Sequence, residues 1–382
     1  MRELYVIPGT DGAVMLGEDG RIVEFTRENA ADPAGTVYMG KVDRIMRNPE
    51  AAFVDIGADR EAFLPLNENS GSFTGPALKS GMRIPVQIRR EAHGSKGAFL
   101  SRDLVIPGTL MILMPMNRHT GISAKITEES ERERLRNAGL RLTEGQYGLV
   151  LRTAAAEAEE SELEAEYRRL QEQWLELRSR LDGYTGTGPV NAPESAAEGY
   201  LRDYGENGID RIVTCGELPF RTSVPVTETD RGTLERKLRG AVRTALKRKV
   251  SLPHGGNLII DPCEAMTVID VNTASDTRGK NGFLETDLEA CTEIAAQLRL
   301  RNISGIVIID MIDLKTDAER ERILTALNAA VLQDRVKTVI HGMTQLGLIE
   351  MTRKRTAPSV YEQWGGGPVQ EPEEEKPEEL DA

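Results

Sequence analysis

Residues 257–272 read NLIIDPCEAMTVIDVN, and residues 305–314 read GIVIIDMIDL. Both hold apolar runs of strand length that stop on a carboxylate: MTVID ends at Asp270, followed by Val271 and Asn272, and GIVIID ends at Asp310. Around them, helical and strand patterns alternate. A basic helix runs from Thr233 to Lys249, a helix lies near Leu288 to Leu298, another runs from Asp317 to Leu332, and VKTVIHG at 336–342 is a further strand. This alternation predicts an α/β domain whose central strands are buried on both faces. In such a sheet ligands sit beyond the carboxyl ends of the strands, where a side chain can leave the core and still be held by rigid backbone. Two aspartates meeting there repel, and a hard divalent cation such as Mg²⁺, completed by water and substrate phosphate, relieves the repulsion. Strand-terminal aspartates also act as helix caps or loop acceptors, and the pattern alone leaves both roles open. Asp313 reads as a loop or cap residue.

Toward the N-terminus the chain changes class. Residues 3–24 are short apolar runs broken by Pro8, Gly9, Gly12 and Gly20, a small antiparallel piece. Between 36 and 103, TVYMGKVDRI, AAFVDIG, EAFLPL and RIPVQI are separated by Asn, Pro and Gly turns, the pattern of a small β-barrel. Phe53 and Phe63 on it are candidates for stacking on bases, with Lys41, Arg44 and Lys96 supplying charge; core packing is the default for each aromatic ring. Residues 104–153 mix strands with a polar helix around Glu128 to Gly139. Leu163, Tyr167, Leu170, Trp174, Leu177 and Leu181 then recur at helical spacing and form one apolar stripe, which favours a helix laid on its own domain over a dimerising coiled coil. Asp182 to Glu194 is a Gly, Pro and Thr rich loop, and its G-T-G lacks a third glycine at nucleotide-binding spacing.

Forty-eight Lys and Arg stand against 61 Asp and Glu, a net charge of −13 that on its face argues against a nucleic-acid partner. The distribution reverses that inference. From Gly365 to the end the chain reads GGGPVQEPEEEKPEELDA, seven acids and one Lys, so this tail holds −6 of the total; it buries too little apolar surface to offset ordering and is expected to be disordered. Between Arg231 and Lys249, by contrast, eight Lys and Arg face one acid, Glu235. Phosphate backbone is the natural counterpart of such a helix, although a solvated face gives the same pattern. Cys215, Cys263 and Cys291 form no C-x-x-C pair and are expected to pack as small reduced hydrophobes, with no structural zinc. Neither a signal peptide nor a membrane span is evident, and a cytoplasmic location is expected.

With these pieces placed, the chain resembles the ribonuclease E/G family of bacterial endoribonucleases from about residue 35 to about residue 360. GTVYMGKVDRIMRNPEAAFVDIGADREAFLPL (35–66) resembles its S1 RNA-binding domain, and HGSKGAFLSRD (93–103) with LMILMPMN (110–117) resembles the S1 exit and the start of the 5′ sensor. GLVLRTAA (148–155) resembles the sensor's phosphate-binding segment. LPHGGNLIIDPCEAMTVIDVNTASDTRG (252–279), LEACTEIAAQLRLRNISGIVIIDMIDL (288–314) and QLGLIEMTRKR (345–355) resemble the DNase I-like catalytic subdomain.

The resemblance implies a multidomain α+β chain. Its parts are an RNase H-like N-terminal part (1–35), an S1 domain of the OB fold (36–103), a 5′-sensor-like domain with the long helix (104–183), a reduced RNase H-like part (184–232), a DNase I-like α/β catalytic subdomain (233–364) and the acidic tail (365–382). It implies that Asp270 and Asp310 bind a catalytic Mg²⁺, or Mn²⁺ in its place, with Asn272 orienting them or the attacked phosphate. Arg152 and Thr153, helped by Gly121, would receive the 5′-monophosphate of the RNA, a role that suits a guanidinium fork and a hydroxyl donor. Phe53, Phe63 and Lys96 match positions that hold single-stranded RNA. The implied activity is endonucleolytic hydrolysis of single-stranded RNA, ribosomal precursors or messenger RNA, leaving 5′-phosphate and 3′-hydroxyl ends. The alternative is an RNA-binding protein with weak or lost nuclease activity.

The chain also departs from the family pattern. The C-x-x-C zinc-link and small domain have no counterpart after Trp364, which leaves a homodimer as an open arrangement. The segment Tyr200 to Arg231 is much shorter than the family's RNase H-like subdomain, retaining little more than GYLRDYGENGIDRIVTCGELPF (199–220), and the sensor loop MNRHTGISAKI (116–126) is one residue short.

Overall fold

The computed structural model describes residues 1–9, 12–28, 33–66, 75–92, 96–191, 194–253, 255–273, 282–312, 316–332 and 334–364. Asp313 and the acidic tail lie outside them. The chain divides into two compact units, Met1–Arg27 with Asp210–Ala382, and Glu28–Ile209.

Three strands open the chain: β1 (Arg2–Ile7), β2 (Gly12–Glu18) and β3 (Arg21–Glu28). There follow β4 (Val37–Arg47), β5 (Glu50–Asp55), β6 (Ala62–Pro65), β7 (Arg83–Arg90) and β8 (Phe99–Ser101). Pairing runs β4–β5–β6–β8–β7 and returns from β7 to β4, so five strands close a barrel. Val42, Val54, Leu64, Val86, Ile88 and Leu100 fill its interior. A Cβ on Gly40 would come 2.5 Å from Val54 Cγ1, so that close approach of strands requires glycine. Strand alternation places Phe53 and Phe63 outside this core, against the default expectation for both.

The next elements are β9 (Ile106–Pro107), β10 (Met111–Met114), β11 (Thr120–Ile122), α1 (Glu129–Thr143), β12 (Gly148–Leu151) and α2 (Glu160–Gly183). Their sheet, in the order β11-β12-β10-β9, carries a core that includes all six stripe residues of α2, so the long helix lies on its own unit. Glu166, also buried on α2, accepts the backbone N–H groups of Thr109 and Leu110 and so satisfies two donors of the turn before β10. Within the segment 182–194 expected to be loop, β13 (Gly188–Pro189) pairs with β4; beyond it, α3 (Ala196–Tyr204) starts at a capping box between Ser195 and Glu198.

In the other unit β14 (Arg211–Thr214) and β15 (Val226–Glu228) join the N-terminal strands in the order β15-β14-β1-β2-β3, with β14 parallel to β1. Helix α4 (Arg231–Leu246), capped by the Asp230 carboxylate on the Thr233 N–H, lays Leu234, Ala241, Val242 and Ala245 in the same core as Tyr5, Ile7 and Met15. It ends three residues before the predicted limit, because Lys249 already belongs to a strand. That strand is β16 (Lys249–Ser251), followed by β17 (Asn257–Pro262), β18 (Met266–Asn272), α5 (Gly282–Leu300), β19 (Gly305–Asp310), α6 (Asp317–Val331), β20 (Thr338–Met343), β21 (Ile349–Arg353) and α7 (Val360–Trp364).

The second sheet runs β16-β17-β18-β19-β21-β20, and β18–β19 is its parallel pair. Here the structure corrects the sequence reading: the central strands are buried on one face, not two. Ile260, Ile269, Val307 and Ile309 pack with Cys291, Ile294 and Leu298 of α5 and Ile323 and Leu327 of α6. The alternate residues face outward, and the register row Met266–Ile306–Thr352–Val339 includes three apolar side chains exposed by 37, 47 and 37%. Cys291 is buried as expected, but Cys263 is exposed in the β17–β18 turn and packs in no core. Among the described residues no helix is long and apolar enough to cross a membrane.

Candidate functional site

Asp270 and Asp310 are direct register partners across the parallel β18–β19 pair. Neighbouring strands lie about 4.8 Å apart, so the two carboxylates leave the same sheet face side by side. The amide of Asn272, two residues on and therefore on the same face, donates from Nδ2 to Asp270 Oδ2 at 2.7 Å. Asp310 is exposed, and Asp270 and Asn272 are half-buried. Gly256, at φ +95°, presses on the end of β18; a Cβ there would come 2.7 Å from the Asn272 carbonyl oxygen.

The register extends this row to Lys249–Ile259–Asp270–Asp310 across four strands. Lys249 is exposed on the edge strand, while Val250 beside it turns to the core. Arg248 makes a bidentate pair with Asp261 at 2.6 and 2.8 Å, which holds the Asp261 carboxyl below the usual range; Asp270 adds a weaker pull that helps raise the Arg248 pKa. Among the described residues no Lys or Arg forms an ion pair with Asp270 or Asp310. Nor do the described residues bring three or more His, Cys, Asp or Glu together at metal-binding spacing. Two like-charged hard oxygen donors, with no Lys or Arg paired to either among the described residues, suit a hard divalent cation better than they suit Zn²⁺.

Beneath the row stands Asp287 of α5, fully buried. One oxygen accepts the Ile312 N–H at 3.2 Å, two residues past Asp310, and the other has no hydrogen-bond partner among the described residues. Burial pushes this carboxyl up to about 7. No pattern in the sequence separates it from a solvated helix acid, because its burial depends on α5 packing against the sheet.

On the barrel, Phe53 and Phe63 meet edge to face with centroids 5.9 Å apart, and Phe63 continues to Phe99 at 5.7 Å. Arg44 lies 4.3 Å over Phe53 and Arg90 lies 4.1 Å over Phe99. All three rings are half-buried and form an aromatic row with a guanidinium over each end ring, that of Arg44 also paired with Glu61 at 2.9 Å. Lys96 is exposed three residues before Phe99. Phe99 and Arg90 were missed in the sequence; the alternation of Ala98, Phe99 and Leu100 was the available signal, since Ala98 and Leu100 point into the barrel.

The three residues matched to a phosphate lie on or next to two neighbouring strands, but their side chains do not meet. Gly121 on β11 pairs in register with Val150 on β12, and Arg152 and Thr153 follow β12 directly. Thr153 Oγ1 lies 2.9 Å from Ser123 Oγ, and the His119 ring comes within 3.3 Å of the place a Gly121 Cβ would take. Arg152 does not present a free fork: it donates to the Gly108 carbonyl and to Asp203 Oδ1, both at 2.7 Å.

Residues 105–356 match the model of the ribonuclease E/G family. Ribonuclease G of Escherichia coli strain K12 is 34% identical over 378 residues, covering 90% of this chain and 77% of that protein. Ribonuclease G of Haemophilus influenzae is 34% identical, covering 91% of this chain and 78% of its own length. Ribonuclease E of Nostoc sp. PCC 7120 is 32% identical, covering 92% of this chain and 56% of its own length. The match spans the strands that carry Asp270 and Asp310 and the segment that carries Gly121, Arg152 and Thr153, and the chain belongs to the ribonuclease E/G family.

Proposed function

We propose that this chain is a Mg²⁺-dependent endoribonuclease that hydrolyses single-stranded RNA at Asp270 and Asp310 and leaves 5′-phosphate and 3′-hydroxyl ends. The observation that carries the reading is the register pairing of the two aspartates on parallel strands, with Asn272 fixed to one of them. Endoribonuclease activity follows from membership of the family and from the ribonucleases G and E among its relatives.

Asp270 and Asp310 would hold the ion. Bound there, it supplies Lewis-acid stabilisation of phosphoryl charge and lowers the pKa of water. The chain's own contribution is positioning. The Asn272 amide restrains Asp270 in one rotamer, so its other oxygen stays available on the open face. The row is rigid because Ile269, Val271 and Ile309, which alternate with the site residues, are locked in the core against α5 and α6.

The remaining features divide the labour of binding. The Phe53, Phe63 and Phe99 platform suits unstacked bases, which fits single strands better than duplex. Gly121, Arg152 and Thr153 would receive a 5′-monophosphate; because Arg152 is already paired with Asp203, the phosphate must share or displace that carboxylate, which predicts modest end sensing. RNA precursors and messengers of the cytoplasm are the expected substrates.

The direct test incubates a 5′-monophosphorylated, fluorescent single-stranded RNA with the chain in Mg²⁺ and in EDTA. Internal cleavage in Mg²⁺, with downstream fragments carrying 5′-phosphate, supports the reading. Tight binding without cleavage would instead establish an RNA-binding protein that has lost nuclease activity.

A further inference from the structure

We propose that the outer face of α4 and the start of β16 form a cationic track that binds the RNA backbone flanking the scissile phosphate. Arg236, Arg239 and Arg243 recur at spacings of three and four, so they share one face of α4, and Lys247 follows as its C-cap; all four are exposed. The opposite face holds Leu234, Ala241, Val242 and Ala245 in the core. Glu235 is the acid of this helix and pairs at 2.9 Å with Arg231 and at 3.8 Å with Arg239, which leaves the stripe strongly positive in a chain of net charge −13. Gly240 lies within the stripe and meets nothing within 4 Å of where its Cβ would stand, so backbone as well as side chain is open to a ligand.

The track leads to the candidate site. It passes from Lys247 through Arg248 to Lys249, the first residue of the row Lys249–Ile259–Asp270–Asp310. Lys249 is two strands from Asp270, about 10 Å between Cα atoms, a gap its side chain can half cross toward a phosphate next to the one being cut. The stripe from Arg236 to Arg243 extends about 10 Å along the helix, and Lys247 prolongs it toward β16, enough for consecutive phosphates. Repeated like charge beside two bare carboxylates selects a polyanion continuous with the substrate. This inference rests on the carboxylate pair being the cleavage site.

The experiment measures binding of a 20-nucleotide single-stranded RNA to the Asp270→Asn chain, so that binding is read apart from cleavage. Into it are placed either Arg236→Gln, Arg239→Gln and Arg243→Gln together, or the charge-matched control Arg168→Gln, Arg178→Gln and Arg180→Gln on exposed positions of α2. Loss of three phosphate contacts is expected to weaken binding about tenfold or more and to lower the slope of log K against log salt by about 2, with the control near the parent. Equal losses in both triples, or none in the first, would overturn the track, as would a parent that binds no RNA. Photocrosslinking of 4-thiouridine RNA to the unsubstituted stripe gives a second reading: the adduct belongs within Arg231–Lys249, and its absence there counts against the proposal. If the stripe binds RNA but the native chain cuts nothing in Mg²⁺, the nuclease reading fails, and with it the placement of the stripe beside a scissile phosphate, while its RNA binding stands.

Discussion

Asp287→Asn separates the electrostatic cost of the site's foundation from its chemistry. Asp287 is fully buried, with one oxygen on the Ile312 N–H and one without a partner among the described residues, and its carboxyl is raised from 3.8 to about 7. Cys291 lies close enough on the same helix to feel this charge, and its own thiol is raised to about 12 chiefly by burial. Because the folded pKa exceeds the unfolded one, the native state binds more protons between roughly pH 4 and 7. Stability from this group is therefore present at low pH and lost as pH rises through that window. Asparagine keeps the acceptor for Ile312 and cannot ionise. At about 1.4 kcal/mol per pKa unit, its advantage over aspartate should grow by about 2–3 kcal/mol between pH 5 and pH 8. The new amide N–H in the unpartnered position costs about 1–3 kcal/mol at both pH values, so the difference between them is the quantity to read. Urea unfolding followed by tryptophan fluorescence in a Trp174→Phe background reports the right unit, since Trp364, packed on Phe25, is then the remaining tryptophan. A stability difference between Asn and Asp that does not change with pH would refute the reasoning.

Three further outcomes follow from the geometry. Arg152→Ala should lower the ratio of kcat/KM for 5′-monophosphorylated over 5′-hydroxyl RNA; an unchanged ratio removes Arg152 from end sensing. Phe63→Ala takes out the middle ring of the barrel platform and should weaken single-stranded RNA binding by about 1–3 kcal/mol, the worth of one stacked base, as read by fluorescence anisotropy. Unaltered affinity would return the three rings to a packing role. Arg353→Met strips the guanidinium from buried Asp334, 2.7 Å away, leaving the carboxylate its Val336 N–H, and empties a site that also serves the Asn302 side chain and the Ile303 carbonyl. It should cost about 3–5 kcal/mol by thermal unfolding, and the double variant with Asp334→Leu should recover much of it.

Much of the site was legible because its residues sit where strand periodicity puts them. Asp270 and Asp310 end two apolar runs, and a parallel pair of such strands aligns their ends, so the sequence pattern already contained the juxtaposition. The α2 stripe was equally plain, its six apolar residues recurring at helical spacing and all reaching the core. What failed had a physical reason. Val268, Ile306 and Ile308 made β18 and β19 look buried on both sides, yet they lie on the open face, and apolar continuity alone cannot tell which face a helix will cover. Strand β21 passed unrecognised because IEMTR alternates on a strand that inserts between β19 and β20 by a tertiary pairing, not by local sequence. The charge of Arg152 was legible, but its engagement by Asp203, 51 residues away, was not. Asp287 was invisible for the same reason: only packing distinguishes a buried helix acid from an exposed one.

The central claim is that Asp270 and Asp310 act together as the metal-holding pair of an RNA hydrolase. The most direct measurement is the cleavage rate and the RNA affinity of Asp270→Asn and Asp310→Asn, each against the native chain, on a 5′-monophosphorylated single-stranded RNA across a Mg²⁺ titration. Each change keeps the side-chain volume and removes one hard anionic donor, so both proteins should lose cleavage at every Mg²⁺ concentration while binding RNA with nearly native affinity. Cleavage that persists in either variant, or that proceeds in the native chain in EDTA, would contradict the account.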